Sequence, residues 1–382
     1  MEILIKNVND ILDTIVGKYD LKLNSLVDYV FILVSNYYDK KFSKKYIFKD
    51  IIKQIICESY PNLCGDRYNN FIVNDNSHLV DYLKTIPQFE QRTPGWFKMK
   101  ENSVGASESA IIFGKSVFSN RRKLLLKKSG FKEKWIPNPA CTHGTKYEPI
   151  VQLLYQNKNM VELFEFGSLV HKKYPMISAS PDGITTEGVM VEIKVPYRRI
   201  ITGIPPIYYW FQMQQQMEVC NLDRVDFVEC NISEYLNKKE FIKDTNNKED
   251  PNACINNEGN IKNVIIEYFK KNDIGELIID WIYPDKFLKI DEIPNWVSDI
   301  KKQLKEGNDT IFSRDIYFKI NKYSSTEIWR DREWWSLNYK EYLKFWEEVE
   351  HYREIGNESL MPKPRKPRKN RVKYLIVEEE EY

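Results

Sequence analysis

The first 85 residues carry apolar side chains at the spacing of amphipathic helices. The apolar positions are Ile11, Leu12, Ile15, Leu26, Val27, Val30, Phe31 and Val34. Turn signals interrupt the pattern at Pro61 and Gly65. We therefore expect residues 1–85 to form a helical N-terminal extension.

From residue 86 the pattern changes to short helical segments that alternate with strand-like runs. The expected helices are Ser107–Gly114, Asn120–Ser129, a helix from near Glu148 to about Gln156, and Tyr208–Cys220. Pro149 suits the first turn of the third helix, where a missing N–H costs nothing. The expected strands are Leu163–Val170, Met176–Ala179, Val189–Val195 and Arg224–Cys230. Strands bracketed by helices predict an α/β (α+β) domain over residues 86–356, with its core at 92–231.

The C-terminal third of the chain has three distinct textures. Residues 236–262 are polar, and we expect a loop insertion there. The apolar runs 264–269 and 277–283 are expected to return to the sheet, and an aromatic-rich helical layer should follow them. The aromatic residues are Trp329, Trp334, Trp335, Phe345 and Trp346. Residues 357–382 read as a charged flexible tail, because PKPRKPRKNRVK precedes the acidic run 378–381.

Composition narrows the class of protein. The 382 residues are 42% hydrophobic, which is enough for a large core, and the formal charge of +2 neither requires nor excludes a polyanionic partner. The six cysteines form no CxxC pair, so neither a zinc site nor a disulfide framework is indicated. The sequence has no membrane-spanning run and no signal peptide pattern, and we expect an intracellular protein without a membrane partner.

The stretch SASPDGITTEGVMVEIKVP at 178–196 is the segment most informative about chemistry. Side chains alternate along a strand, so Glu192 and Lys194 share one face while the intervening apolar residues face the other way. Asp182 lies ten residues before Glu192, a distance that a short hairpin can close. Two carboxylates and an ammonium group would then converge.

Such a group of side chains suits a hard cation. Mg²⁺ binds through one or two carboxylates together with water and substrate phosphate oxygens, and it activates a bound water for attack on a phosphodiester. The alternative at this point is that Glu192 and Lys194 are a solvent-facing charge pair on an edge strand.

The PDG turn followed by ExK matches the pattern of PD-(D/E)xK nucleases. Four blocks resemble the lambda-exonuclease and YqaJ-type viral recombinase family in order and spacing. They are GWFKMKENSVGASESAIIFG (95–114), HGTKYEP (143–149), ASPDG with VEIKVP, and YYWFQMQQQMEV (208–219). The resemblance implies a restriction-endonuclease-like core in which helices flank a central mixed β-sheet. It also implies a Mg²⁺-dependent 5′ exonuclease acting on double-stranded DNA ends, with Mn²⁺ as a substitute and a two-metal site.

The same resemblance implies roles for individual residues. Glu148, Asp182, Glu192 and the carbonyl of Ile193 correspond to metal ligands, and Lys194 corresponds to the catalytic lysine. Gln212 corresponds to a glutamine that reaches toward the lysine and the attacking water. Two simpler interpretations stay open: that Glu148 interacts favourably with the helix dipole and does nothing more, and that the glutamines within 212–216 form a wet helix face.

Recognition of the DNA end is the remaining implied role. In the family, a basic residue and serines hold the 5′-phosphate, and the matching positions are Lys100, Ser107 and Ser180. Lysine stands where a well-known phage enzyme has arginine, which removes the two-pronged contact and weakens the expected preference for a phosphorylated end. Trp96 either stacks on a terminal base or anchors its own segment. Apart from the resemblance, the basic run 121–134 predicts either a DNA-backbone patch or a solvated helix face. The residues expected to bind DNA there are Arg121, Arg122, Lys123 and Lys127.

Two other functions compete with the 5′ exonuclease. A structure-specific or sequence-specific endonuclease would use the same site, because fold does not fix function. An inactive DNA-binding or assembly module would have no need for all four charged site residues. Resemblance further implies a homotrimer, a single-strand annealing protein as partner, and a nuclear or cytoplasmic site of viral replication.

Overall fold

The computed structural model describes most of the chain after residue 76. The described ranges are 2–15, 76–89, 93–131, 138–246, 254–272, 275–307 and 309–361, with isolated positions between 30 and 59. Most of the N-terminal extension and the tail from residue 362 onward lie outside these ranges. Among the described residues, no helix is both long and apolar enough to span a membrane.

Helices occupy the described part of the N-terminal extension. They are α1 (Glu2–Ile15) and α2 (Ser77–Thr85). Val8 and Leu12 of α1, and Val80 and Leu83 of α2, are buried and belong to the largest apolar cluster of the chain.

Short elements precede the main sheet. They are α3 (Pro94–Glu101), β1 (Val104–Gly105), a 3₁₀ turn (Ala106–Glu108), α4 (Ser109–Ile112) and α5 (Arg121–Lys128). Thr93 and Asn120 cap α3 and α5, since each side chain accepts a backbone N–H of the first turn.

The next helix, α6, begins nine residues earlier than its sequence pattern indicates. It spans Pro139–Asn159, with Asn138 as its N-cap and Pro139 in the first turn. The expected start near Glu148 is therefore wrong, and Pro149 lies inside the helix. Glu148 lies in the middle of α6. A favourable interaction with the dipole at a helix N-terminus therefore does not explain why an acid stands at this position.

In the described part of the chain, seven strands form a mixed sheet in the order β2-β5-β6-β7-β10-β8-β9. The strands are β2 (Leu163–Phe164), β5 (Gly183–Thr185), β6 (Met190–Lys194), β7 (Arg224–Glu234), β8 (Lys262–Lys271), β9 (Leu277–Ile282) and β10 (Thr310–Trp329). Only the neighbours β6 and β7 run parallel. With helices on both faces, this sheet confirms the predicted α/β class.

A smaller sheet lies beside the first. Its order is β1-β4-β3, where β3 is Leu169–Val170 and β4 is Ile177–Ala179. The single strand expected at 163–170 is therefore two strands in two sheets. Gly167 lies at the break, where a Cβ atom would come within 2.5 Å of the Phe89 carbonyl oxygen. Only glycine permits that approach.

Helices sandwich the strand β6. On one face, Tyr147 and Ile150 of α6 cluster with Val191 and Ile193. On the other face lies α7 (Ile207–Cys220), whose Trp210 belongs to the largest cluster. Glu192 and Lys194 therefore face α7.

The C-terminal part contains more structure than its sequence pattern indicates. It includes α8 (Lys238–Lys243), α9 (Ile293–Glu306), α10 (Arg332–Ile355) and a 3₁₀ turn (Glu358–Leu360). Helix α8 lies within the expected loop insertion 236–262, where Phe241 is buried, so the described part of that segment is folded. Trp329 ends β10 and is not part of the helical layer. Residues 357–361 pack on α5, where Arg122 donates to the carbonyls of Leu360 and Met361.

Candidate active site

The hairpin of β5 and β6 brings Asp182 next to the ExK segment of β6. Gly183 pairs with Val191, and Asp182 lies one residue before β5. Its Oδ2 atom accepts the backbone N–H of Ile193 at 2.7 Å. The Gln152 amide, from α6, donates to the Asp182 carbonyl at 2.8 Å. Asp182 is thus fixed beside the ExK segment, as the PDG spacing predicts.

Glu192 and Lys194 form an ion pair on the face of β6 that looks toward α7. The Lys194 ammonium contacts Oε1 of Glu192, whose side chain is fully buried, whereas 22% of the Lys194 side chain is exposed. Strand β6 lies between β5 and β7. The alternative of a solvent-facing pair on an edge strand is therefore wrong.

Two glutamines of α7 hold Glu192 from the opposite side. The Gln212 amide donates to Oε1 and the Gln216 amide donates to Oε2, each at 2.6 Å. The glutamines at 212 and 214–216 are all buried, which excludes a wet helix face. The family role implied that Gln212 reaches toward Lys194; in the structure it meets Lys194 at the shared oxygen of Glu192.

Gln216 is the site residue that sequence reasoning missed. Four glutamines occur within five positions, so composition alone does not distinguish them. The distinguishing signal is spacing, because residues four apart share a helix face and Gln216 follows Gln212 by four.

Electrostatics link the acids and the lysine into one group. Burial raises the pKa of Asp182 well above its usual value, and the nearby charges of Glu192 and Glu148 raise it further. Burial lowers the pKa of Lys194, but Glu192 and Asp182 outweigh that effect and hold the pKa above its ordinary value. Lys194 therefore stays charged, and the site concentrates negative charge that favours a cation.

The donor set fits a loosely ligated Mg²⁺ better than a closed metal cage. Within the described ranges, no three His, Cys, Asp or Glu side chains converge as a set that could enclose a metal ion. Mg²⁺ commonly binds through one or two carboxylates and completes its shell with water and substrate phosphate. Asp182 and Glu192 supply such carboxylates, and Glu148 is near enough to raise the pKa of Asp182. Ile193 contributes its N–H to Asp182; the roles of its carbonyl and of a second metal remain predictions.

Residues 95–223, which contain Asp182, Glu192, Lys194, Gln212 and Gln216, match the family of YqaJ-like viral recombinase domains. Over this part of the chain the protein is similar to YqaJ-like viral recombinase domains. This finding confirms the family resemblance of the sequence blocks.

Relatives that match parts of the chain come from large DNA viruses. An uncharacterized protein of Acanthamoeba polyphaga mimivirus is 30% identical over 305 residues, covering 72% of this chain and 55% of that protein. A protein of African swine fever virus is 29% identical over 170 residues, covering 35% of this chain and 47% of that protein. The chain thus spans about half the length of these relatives.

Solved structures of one enzyme also resemble the chain. They are of LHK-Exo, an alkaline exonuclease from Laribacter hongkongensis, in one case in complex with dAMP. Both have a TM-score of 0.41 and cover 69% of this chain and 95% of that chain, with sequence identities of 21% and 20%.

Residues 95–223, which match this family, bring Ser107 and Ser180 to the same end of the small sheet. Strands β1 and β4 run parallel, and Gly105 pairs with Ser178. Each serine lies two residues beyond its paired position, so the two lie at neighbouring strand ends, close to Asp182. Ser107 is exposed, whereas the Ser180 hydroxyl donates to the Gly167 carbonyl at 3.1 Å.

Lys100 and Trp96 form a second pair within the same segment. The Lys100 ammonium lies 4.1 Å from the centre of the Trp96 ring. Burial lowers the pKa of Lys100; the Glu108 carboxylate opposes the shift, while Lys128 and Lys127 add to it. Trp96 also meets the Phe97 ring edge-on, and its indole nitrogen is buried without a hydrogen-bond partner among the described residues.

The basic patch on α5 is largely engaged in internal contacts. Arg121 pairs with Glu348, Arg122 donates to the carbonyl of Leu360 in the 3₁₀ turn that follows α10, and Lys127 pairs with Glu108 at 2.9 Å. Lys123 is exposed. Most of the basic side chains expected to bind DNA therefore also form ion pairs or hydrogen bonds that hold α5 against its neighbours.

Proposed function

We propose that this chain is a Mg²⁺-dependent nuclease that hydrolyses phosphodiester bonds of DNA. The observation that carries the proposal is the convergence of Asp182, Glu192 and Lys194 on one hairpin inside a YqaJ-like viral recombinase domain. An inert assembly module would have no use for a buried carboxylate held by three donors.

The residues divide the chemistry among them. Asp182 and Glu192, with Glu148 beside them, would hold the cation, which polarises the scissile phosphate and lowers the pKa of a bound water. Lys194, kept charged by Glu192 and Asp182, would orient the attacking water or stabilise negative charge that develops on the phosphate. Gln212 keeps Glu192 in place during these steps.

We further propose that cleavage proceeds as a 5′ exonuclease on duplex ends. Support comes from Ser107 and Ser180 at neighbouring strand ends near Asp182, with Lys100 in the helix that precedes β1. A terminal phosphate bound by these three groups would lie beside the cleavage site. Lysine binds phosphate as a point charge, so the preference for a phosphorylated end should be weaker than an arginine would give.

Strands of one linear duplex with a 5′-phosphate or a 5′-hydroxyl test the end pocket directly. One charge-assisted contact of roughly 1.5 to 3 kcal/mol predicts about tenfold to a hundredfold faster degradation of the phosphorylated strand at low salt. Lys100→Ala should erase the difference, whereas Lys98→Ala, an exposed lysine of the same helix, should keep it. Digestion from 3′ ends, or equal digestion of closed circles, would favour an endonuclease instead.

The resemblance also leads us to propose a homotrimer that threads one strand, and a single-strand annealing protein as partner. Relatives in mimivirus and African swine fever virus support a role at a site of viral DNA replication. Sedimentation of the purified chain tests the proposed trimer. A monomer would contradict it, because a single chain does not form the closed ring through which one strand would thread.

A further inference from the structure

Two side-chain amides of one helix, α7, hold the carboxylate of Glu192. The roles implied by the resemblance account for Gln212 and leave the second amide unexplained. Its side chain is fully buried. Gln212 donates to Oε1 and Gln216 donates to Oε2, both at 2.6 Å and one helical turn apart. The two amides therefore grip both oxygens of the same carboxylate.

The other two glutamines of α7 do different work. The Gln214 amide donates to the Trp329 carbonyl at 2.9 Å and accepts the Asp331 N–H. The Gln215 amide donates to the carbonyls of Val104 and Ser178. Of these four glutamines, only Gln212 and Gln216 donate to Glu192 on strand β6. Burial in α7 therefore does not by itself produce the contact with Glu192.

The chemical nature of the donors matters. An amide N–H is neutral, so it orients a carboxylate and leaves its full negative charge available to a cation. Lys194 is the charged partner of Glu192, and it contacts only Oε1 and is partly exposed. When Lys194 turns toward a substrate phosphate, Gln212 and Gln216 can stay in place. Hydrogen bonds to a ligating carboxylate of this kind commonly tune metal affinity by about 10-fold to 100-fold.

We propose that Gln216 is a positioning residue that, together with Gln212, clamps Glu192 in the orientation that receives the divalent cation. This inference rests on the proposed metal-dependent function. Gln216 touches neither the DNA nor the reacting atoms; it acts through Oε2 of Glu192.

Mn²⁺ binding in the absence of DNA tests the clamp, measured by isothermal titration calorimetry on the full chain. Gln216→Met keeps the approximate side-chain volume and removes the donor, and it should weaken Mn²⁺ binding by about 10-fold to 100-fold. The matched control is Gln214→Met, which removes a buried amide from the same helix and should leave Mn²⁺ affinity within about twofold. Gln216→Asn, whose amide is one methylene short of Glu192, serves if the methionine variant does not fold and should also weaken binding.

A double variant separates positioning from a general packing effect. Once Glu192→Gln removes the carboxylate, adding Gln216→Met should cause no further loss of Mn²⁺ affinity, because coupled residues are non-additive. Wild-type Mn²⁺ affinity in folded Gln216 variants, or equal losses in the Gln214 control, would overturn the clamp alone. A wild-type chain that binds no Mn²⁺ would overturn the metal-dependent function and the clamp together.

Discussion

At the scale of single residues, the charge of Lys194 is the feature most directly tied to the proposed cleavage. Glu192 and Asp182 keep its pKa raised, so the ammonium is available at neutral pH. Lys194→Ala should therefore reduce DNA cleavage by at least ~10²-fold, the scale for losing a positioned acid–base group. Lys302→Ala, an exposed lysine on α9, is the control and should cleave normally. Near-normal turnover by the Lys194 variant would remove this residue from the mechanism.

Asp182 gives a prediction about stability and pH. Its pKa is raised by burial, Glu192 and Glu148, so ionisation costs more in the folded chain than in the unfolded chain. Stability from this group is present below the unfolded pKa of about 3.9 and is lost as pH rises through the raised folded pKa. Asp182→Asn removes that loss and should raise the melting temperature at pH 8, without divalent metal, by at least ~2 °C.

The prediction is tested by the pH dependence of the rise in melting temperature caused by Asp182→Asn. Differential scanning calorimetry should find the gain shrinking as the pH falls and approaching zero below about pH 3, where Asp182 is protonated in both states. Asp299→Asn, an exposed acid on α9, should give no such gain. If Asp182→Asn instead lowers the melting temperature at pH 8, the prediction is wrong and the ionised carboxylate stabilises the fold.

Sequence predicted the residues whose position follows from local geometry. Strand alternation alone put Glu192 and Lys194 on one face, and the PDG turn brought Asp182 back to them. The depth of burial was not visible, because it depends on α7 lying over β6. Gln216 was missed for that reason: its role exists only once the helix and the strand are packed together.

At the scale of elements, the turn between β5 and β6 sets the register of the catalytic hairpin. Gly188 has φ +84°, and a Cβ atom there would lie 2.5 Å from Cβ of Asn76. Gly188→Ala should therefore destabilise the chain by at least ~1 kcal/mol in urea denaturation. Gly144 lies inside α6 with open space around it, so Gly144→Ala should stabilise by ~0.5 to 1 kcal/mol. The two substitutions should therefore change the free energy of unfolding in opposite directions. A Gly188→Ala variant as stable as the wild type would contradict this and would mean that the turn relaxes.

Element boundaries show where sequence patterns reached their limit. Helix α6 starts at Pro139, but the apolar pattern becomes periodic only near Glu148. Strand β10 pairs with both β7 and β8 and was not predicted, because register shifts between Phe312 and Arg314 and between Ile320 and Lys322 break its alternation. A strand that bridges the sheet is identified by its partners more than by its own pattern.

At the scale of the whole molecule, α10 packs against the segment that precedes the main sheet. Its Tyr342 hydroxyl bonds to Ser109, and Arg353 donates to the carbonyls of Lys128 and Glu101. These contacts hold the segment with Lys100 and Ser107 against the rest of the chain. The aromatic residues near the C-terminus indicated a packed helical layer, but only the tertiary structure shows that this layer supports the proposed end pocket.

Nucleotide release from linear duplex DNA tests the metal-dependent nuclease most directly. The purified chain is incubated with Mg²⁺ or with EDTA, and Glu192→Gln is run beside it with DNA binding measured in parallel. We expect release with Mg²⁺, none with EDTA, and none from the variant although it still binds DNA, since backbone contacts lie elsewhere. Equal release with and without chelator, or full activity in Glu192→Gln, would contradict the metal-dependent site.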